Sequence, residues 1–316
     1  MIVTVTPNPS VDRTAVLSGP LTRGAVHRVA SLSDQPGGKG VNISRACLAA
    51  GVATLAVLPA AGDDPFVHEL ERLGVPCLPV PPAGPMRVNL TITEPDGTTT
   101  KLNAAGADAT PEDLHALAAA VLDRHATGWA VLAGSLPPGA PSDWYADLAA
   151  GLRTSGWAVA VDTSDAALEA VVAALVPATA PSLLKPNADE LASVTGDDPA
   201  ALEDDPAAAA AAARTLIDRG AGAVLATLGP GGAVLVDSAG AWHATPPPTR
   251  VVSTVGAGDA SLFGYLRADL LGLPAPDRLV SAVAYGSAAA GLPGTTVPTP
   301  ADVRVDDVRV RQLDPV

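Results

Sequence analysis

Short runs of consecutive apolar residues alternate along this chain with longer runs of helical character. The segments "IVTVT" (2–6), "ATLAVL" (53–58), "WAVLAG" (129–134), "AVAVD" (158–162), "SLLK" (182–185) and "AVLATLG" (223–229) read as strands, several of them apolar on both faces. Strands covered on both sides belong in parallel sheets, and their spacing suits right-handed βαβ units. The expected class is therefore α/β with a mainly parallel central sheet. Helix signals fill the intervals. "TPEDLHALAAAVLDRHA" opens with Thr110 as N-cap, Pro111 at the first helical position and Asp113 in the first turn. The alanine-rich "PAAAAAAARTLIDRG" has Pro206 to open a surface helix and Gly220 to close it.

Two stretches break this rhythm. From Arg87 to Asn103, Val88, Leu90 and Ile92 share one face before a Pro-Asp-Gly turn and a second, polar strand. From Asp12 to Ala30, similar β-type pieces are interrupted by Gly and Pro. Both are too short to be domains. Paired, they make a small sheet beside the main one, a lid over the carboxyl ends of the parallel strands, where open α/β sheets bind ligands. The chain reads as one domain over 1–316, with its lid at about 12–30 and 87–103. The Pro-rich stretches Val80–Pro85 and Thr245–Arg250 are expected to be stiff connectors.

Composition narrows the partners. Hydrophobic residues make up 48% of 316, much of it alanine, and aromatics only 3%, so small aliphatic side chains must interlock to fill the core. A net charge of -14 with 19 Lys and Arg and no local basic patch argues against nucleic acid or an anionic membrane as partner. Cys47 and Cys77 lie in apolar segments without metal-ligand spacing and read as reduced core thiols. "MIVTVTPNPS" lacks the basic start of a signal peptide, and no stretch approaches a membrane span, so a cytoplasmic location is expected.

Glycines mark the candidate chemistry. "PGGKGVN" (36–42) precedes a helical run but lacks the spacing of a Walker loop. Its glycines alone would suit a simple turn, whereas Lys39 and Asn42 at a helix start can hold an anionic, hydroxylated ligand. "TLGPGGAVLVD" (227–237) carries more glycine than a hairpin needs, which suits close approach of a ligand. In "KPNADE" (185–190), Asn187 is a natural N-cap with Glu190 at the third helical position. "STVGAGDASLFGYLRADLL" (253–271) sets Gly256, Ala257, Gly258 and Asp259 before an apolar helix. An Asp there complements the helix dipole, but a cap does not require Gly-Ala-Gly in front of it.

In chain order, "TPNPSVD", "GGKGVNISRA", "GSLPPG", "LKPNADE", "TLGPGG" and "STVGAGD" resemble the phosphofructokinase B branch of the ribokinase-like sugar kinases, from residue 2 to about residue 296. The resemblance implies a three-layer sandwich with a small β-sheet lid, and it assigns roles. Gly256, Ala257 and Gly258 would offer backbone N–H groups to the phosphoryl group in flight, and Asp259 would take the proton of the sugar hydroxyl as an ionised, weak base. Asp12, Gly37, Gly38, Lys39, Asn42, Arg87 and Asn103 would bind the sugar phosphate, with Arg28 a weaker candidate beside Arg87. Lys185, Asn187, Glu190, Thr227, Gly229, Gly232 and Ser287 would line the nucleotide side, Glu190 reaching Mg²⁺ through water.

ATP and Mg²⁺ are the implied cofactors, K⁺ is compatible with them, and pairing of lids would give a homodimer. Lys39 in "GGKG" and the opening "TVTPNPSVDRT" resemble the 1-phosphofructokinase group, which implies phosphorylation of fructose 1-phosphate to fructose 1,6-bisphosphate. Two departures keep 6-phosphofructokinase and tagatose-6-phosphate kinase as alternatives. "NAAG" (103–106) replaces that group's Asn-Glu-Pro-Gly, and Pro138 stands where it often carries Arg. A non-catalytic sugar-phosphate sensor would have lost Asp259 or the Asn187/Glu190 pair, and all three are present; Lys39 and Arg87 argue against a nucleoside kinase.

Overall fold

In the computed structural model, which describes residues 1–82, 84–125 and 128–314, ten strands form one sheet. Ala83 of the first Pro-rich connector and Ala126 at the end of the 110–126 run lie outside the described residues. Seven neighbouring strands are parallel, in the order Cys77–Val80, Thr54–Pro59, Ile2–Val5, Trp129–Ala133, Ala158–Asp162, Leu183–Leu184 and Ala223–Thr227. Ala233–Asp237, Gly240–Thr245 and Arg309–Gln312 extend the sheet antiparallel. The C-terminal segment, which carries no motif, thus supplies an edge strand.

Side-chain alternation divides the interior into two layers. Trp129, Val131 and Ala133 face a core that includes the helices Lys39–Ala49, Ala257–Leu270 and Ala275–Ala290. Ala130 and Leu132 face the opposite core with Pro111–Leu122, Trp144–Thr154, Ala188–Thr195 and Pro206–Asp218. The result is the expected α/β/α sandwich. Pro206–Asp218 buries Ala209, Ala210, Ala212, Ala213 and Leu216, so alanines that look like low complexity form a packing face. Thr110 and Asp113 close a reciprocal capping box on Pro111–Leu122, as the sequence predicts.

The lid is a separate four-stranded sheet in the order Val29–Gly37, Ser10–Leu17, Arg87–Thr93 and Thr99–Leu102. It departs from the expected 12–30 span. Gly19, Pro20 and Gly24 break the chain into a connecting loop over 18–28, and the next strand runs on to Gly37, directly into the glycine loop. That strand is invisible in the sequence because it is an exposed edge without a buried face to impose alternation.

Ser10–Leu17 pairs parallel with Arg87–Thr93, aligning Ser10 with Arg87 and Asp12 with Asn89, while on its other side Asp12 faces Gln35. One face of the lid is therefore polar. The other carries Val88, Leu90 and Ile92 with Leu102 and Leu32, and Val88, Leu102 and Leu32 are exposed. A hydrogen bond of 2.5 Å from Thr295 Oγ1 to Gln35 Oε1 ties the polar face to the loop that follows Ala275–Ala290.

Candidate active site

A cleft of about 500 Å³ opens between the polar face of the lid and the carboxyl ends of the parallel strands. Five strand ends contribute: Thr6 and Asn8 after Ile2–Val5, Gly134 and Ser135 after Trp129–Ala133, Ser164 after Ala158–Asp162, Lys185 and Asn187 after Leu183–Leu184, and Thr227 at the end of Ala223–Thr227.

The lid side is a set of interlocked polar groups. Ser10 Oγ donates to Asp12 Oδ1 at 2.8 Å, and Asn89 Nδ2 reaches Ser10 Oγ at 3.0 Å and Asp12 Oδ1 at 3.2 Å. Gly37 is required here: a Cβ at that position would lie 2.1 Å from Asp12 Oδ2. Arg87 is pinned by backbone oxygens alone, donating to Asn8 O (2.8 Å), Ala104 O (3.0 Å) and Pro9 O (3.3 Å). Among the described residues it makes no ion pair, so its charge remains available to an anion.

At the centre lies Asp259, in the first turn of Ala257–Leu270 and only 8% exposed. Asn42 Nδ2 donates to its Oδ2 at 2.8 Å. Burial first, and then the negative charge of Asp162, push the Asp259 carboxyl up to about 6, against the pull of Lys39, Asn42 and Lys185. This corrects the expectation of a weak base held down by the helix dipole. Desolvation outweighs the dipole, leaving a group that is mostly ionised at neutral pH yet takes up a proton readily.

Asp162, fully buried at the end of its strand, binds two cations: Lys39 Nζ at 2.5 Å and Lys185 Nζ at 3.2 Å. Burial opposes its charge, but the two lysines prevail and hold its carboxyl below the usual range. Lys39 also lies 4.0 Å from Glu190 Oε1, and the carboxylates of Asp162, Glu190 and Asp259 outweigh desolvation to raise its pKa.

Gly256 caps the Asp259 helix with φ +78°, and Gly258 lies so near Lys185 that a Cβ there would sit 3.4 Å from Nζ. Ala257 contributes less than predicted, since its N–H turns back to Thr254 O at 3.3 Å; Gly256 and Gly258 line the cleft.

On the far side, Asn187 and Glu190 are both a cap and a wall of the cleft. Asn187 Oδ1 accepts from Glu190 N at 2.7 Å, and Glu190 Oε2 accepts from Asn187 N at 2.8 Å, which leaves Oε1 on the Lys39 side. A carboxylate with one oxygen fixed by the backbone and the other facing the cleft beside Lys39 suits a hydrated Mg²⁺ brought in with nucleotide phosphates.

Other predicted residues stand apart from the cleft. Gly229 and Gly232 form the turn before Ala233–Asp237, and Gly232 is explained by the sheet, since a Cβ would lie 2.0 Å from Ala244 O. Ser287 hydrogen-bonds Thr249 at 2.6 Å in a second cavity of about 190 Å³. Asn103 and Arg28 are exposed and outside the cleft; the 103–106 segment serves instead through its backbone, with Ala104 O and Ala105 O binding Arg87 and Asn8.

Sequence reasoning missed Asp162, Asn8, Ser10 and Asn89. For Asp162 a signal existed, a lone acid ending an apolar strand. The others depend on lid register.

A carboxylate buried in a cleft of this kind is equipped to take a proton from a bound hydroxyl, and the cations around it suit an anionic group arriving at that hydroxyl. This is the equipment of a kinase acting on carbohydrate. Residues 6–302 match the pfkB family carbohydrate kinase, and the chain belongs to that family. Its relatives include the 1-phosphofructokinase of Rhodobacter capsulatus, 39% identical over 324 residues that cover 100% of this chain and 99% of that one. Among solved structures, phosphofructokinase-2 from Escherichia coli in complex with potassium superposes with a TM-score of 0.88 at 29% identity, covering 95% of this chain and 96% of that one. The same protein in complex with fructose-6-phosphate gives 0.86 at 28%, with the same coverage.

Proposed function

We propose that the protein transfers the γ-phosphoryl group of ATP to fructose 1-phosphate, giving fructose 1,6-bisphosphate and ADP. The observation that carries this is Arg87, a cation tethered by three carbonyls and, among the described residues, in no ion pair, in the same cleft as the buried base Asp259. One holds the phosphate already on the sugar, the other serves the hydroxyl that accepts the new one. The C6 hydroxyl oxygen bonds to the γ-phosphorus, the bond from that phosphorus to the β,γ-bridging oxygen breaks, ADP departs with that oxygen, and the hydroxyl proton passes to Asp259.

Gly256, Gly258, Lys39 and Lys185 surround the place where charge develops, and Glu190 would hold Mg²⁺, which when bound neutralises nucleotide phosphate charge. K⁺ belongs to this reading on the strength of the Escherichia coli potassium complex. Exposed Leu32, Val88 and Leu102 on the outer lid face support a homodimer formed through the lids. A cytoplasmic setting, where ATP and sugar phosphates are held, completes it.

Fructose 6-phosphate is the second reading, favoured by Pro138 and by the fructose-6-phosphate complex of the structural relative. Steady-state assays with fructose 1-phosphate, fructose 6-phosphate, tagatose 6-phosphate and unphosphorylated fructose decide between them. The expected result is the highest kcat/KM for fructose 1-phosphate; a preference for either 6-phosphate overturns the proposal.

A further inference from the structure

We infer that Asp162 is a positioning residue for phosphoryl transfer: from beneath the cleft floor it aims Lys39 at the Glu190 and Asp259 side and Lys185 at the Gly256–Gly258 side. The inference rests on the kinase reading above. Asp162 itself is fully buried and absent from the cleft lining, whereas both lysines belong to that lining. Each lysine takes one carboxylate oxygen, Lys39 Nζ at 2.5 Å from Oδ1 and Lys185 Nζ at 3.2 Å from Oδ2, so one rigid group fixes two flexible ones.

The three come from different parts of the chain. Lys39 opens the helix after the glycine loop, Asp162 ends a strand, and Lys185 follows the next strand in the sheet. An ammonium on a four-carbon stem has many rotamers, and aiming it beforehand avoids loss of that freedom when the phosphoryl group arrives. Asp162 also supplies a negative charge that Asp259 faces together with the positive charges of Lys39 and Lys185.

A double-mutant cycle tests this, with Asp162→Asn, Lys39→Met and the pair read by kcat, by KM for the sugar phosphate and by affinity for a non-hydrolysable ATP analogue measured calorimetrically. Asp162→Asn is expected to lower kcat at least ~10-fold, and the pair to be no worse than ~3-fold below Lys39→Met alone, because residues that act as one unit are not additive. The acid limb of the kcat profile should move to lower pH in Asp162→Asn, since a charge repelling the ionised Asp259 is gone; a residue that only supports the fold would leave the limb in place.

Additive losses in kcat overturn the inference. So does a raised Mg²⁺ requirement in Asp162→Asn with Lys39 still independent, which would make Asp162 a metal ligand. Should Asp162→Asn not fold, Asp162→Asn/Lys185→Met removes a buried anion and a buried cation together and enters the same cycle with Lys39→Met. The ATP-analogue cycle does not depend on the sugar. Non-additive binding with no hexose phosphate turned over would refute the substrate reading and leave the positioning role standing, while additive binding refutes the role itself.

Discussion

Replacing Asp259 by Asn should remove activity and at the same time stabilise the folded protein, with a pH dependence that identifies the cause. In the folded state the Asp259 carboxyl holds its proton up to about 6, against 3.8 for the unperturbed group. Between those values the folded chain binds more protons than the unfolded one. Stability therefore falls as pH rises through that window and is level above it. The displacement is about 2 pH units, or ~3 kcal/mol at about 1.4 kcal/mol per unit. An Asn side chain never ionises, and its oxygen can still accept from Asn42. The gain at pH 8 should accordingly be ~1–3 kcal/mol, vanishing near pH 4.

Urea unfolding of both proteins at pH 4, 6 and 8 measures this directly. In kinetics, the wild-type kcat/KM should be half-maximal near pH 6 on the acid side, and Asp259→Asn should lose at least ~10²-fold in kcat with ATP binding nearly unchanged. A variant no more stable than wild type at pH 8 would refute the electrostatic account. Near-normal kcat would refute the base.

Two further outcomes follow from the sugar side. Arg87→Met should raise KM for the sugar phosphate by ~10- to 150-fold, the equivalent of ~1.5–3 kcal/mol for hydrogen bonds to a charged group, and change KM for ATP by less than about 2-fold; equal effects on both substrates would place the arginine elsewhere in the reaction. Hydrogen exchange over residues 88–102 should slow more with sugar phosphate than with ATP, because Arg87 lets the substrate stabilise a closed lid; the same exchange with and without sugar phosphate would make the hairpin a fixed wall.

Much of the fold was legible because buried parallel strands must be apolar on both faces, as in Trp129–Ala133 and Ala158–Asp162, and because caps such as Thr110/Asp113 and Asn187/Glu190 use side chains that few other local structures need. Exposed edges such as Val29–Gly37 and Arg309–Gln312 obey no such constraint and left no pattern to read. In the site, Gly256, Gly258, Asp259, Lys39, Asn42 and Glu190 could be found because each stands in a compact local motif. The Asp162–Lys39–Lys185 contact joins residues more than 20 positions apart, and the Asp12–Asn89 contact depends on parallel register, so neither has a local signature. The error over Asp259 had one cause: the helix dipole can be read from sequence, and burial cannot.

The lid strands are continuous with the residues they cover. Ser10–Leu17 starts at the Ser10–Asp12 contact, Val29–Gly37 ends on the glycine that makes room for Asp12, and Arg87–Thr93 begins with Arg87 itself. Each of these three strands is thus a lever whose fulcrum is the binding site, with an arm of seven to nine residues, roughly 23–30 Å at the usual rise per residue. Force applied at the outer tips, where Glu94 receives the N–H of Leu21, reaches Asp12 and Arg87 along the strands themselves. A small rotation of these strands about the site when substrate binds is correspondingly magnified at the tips.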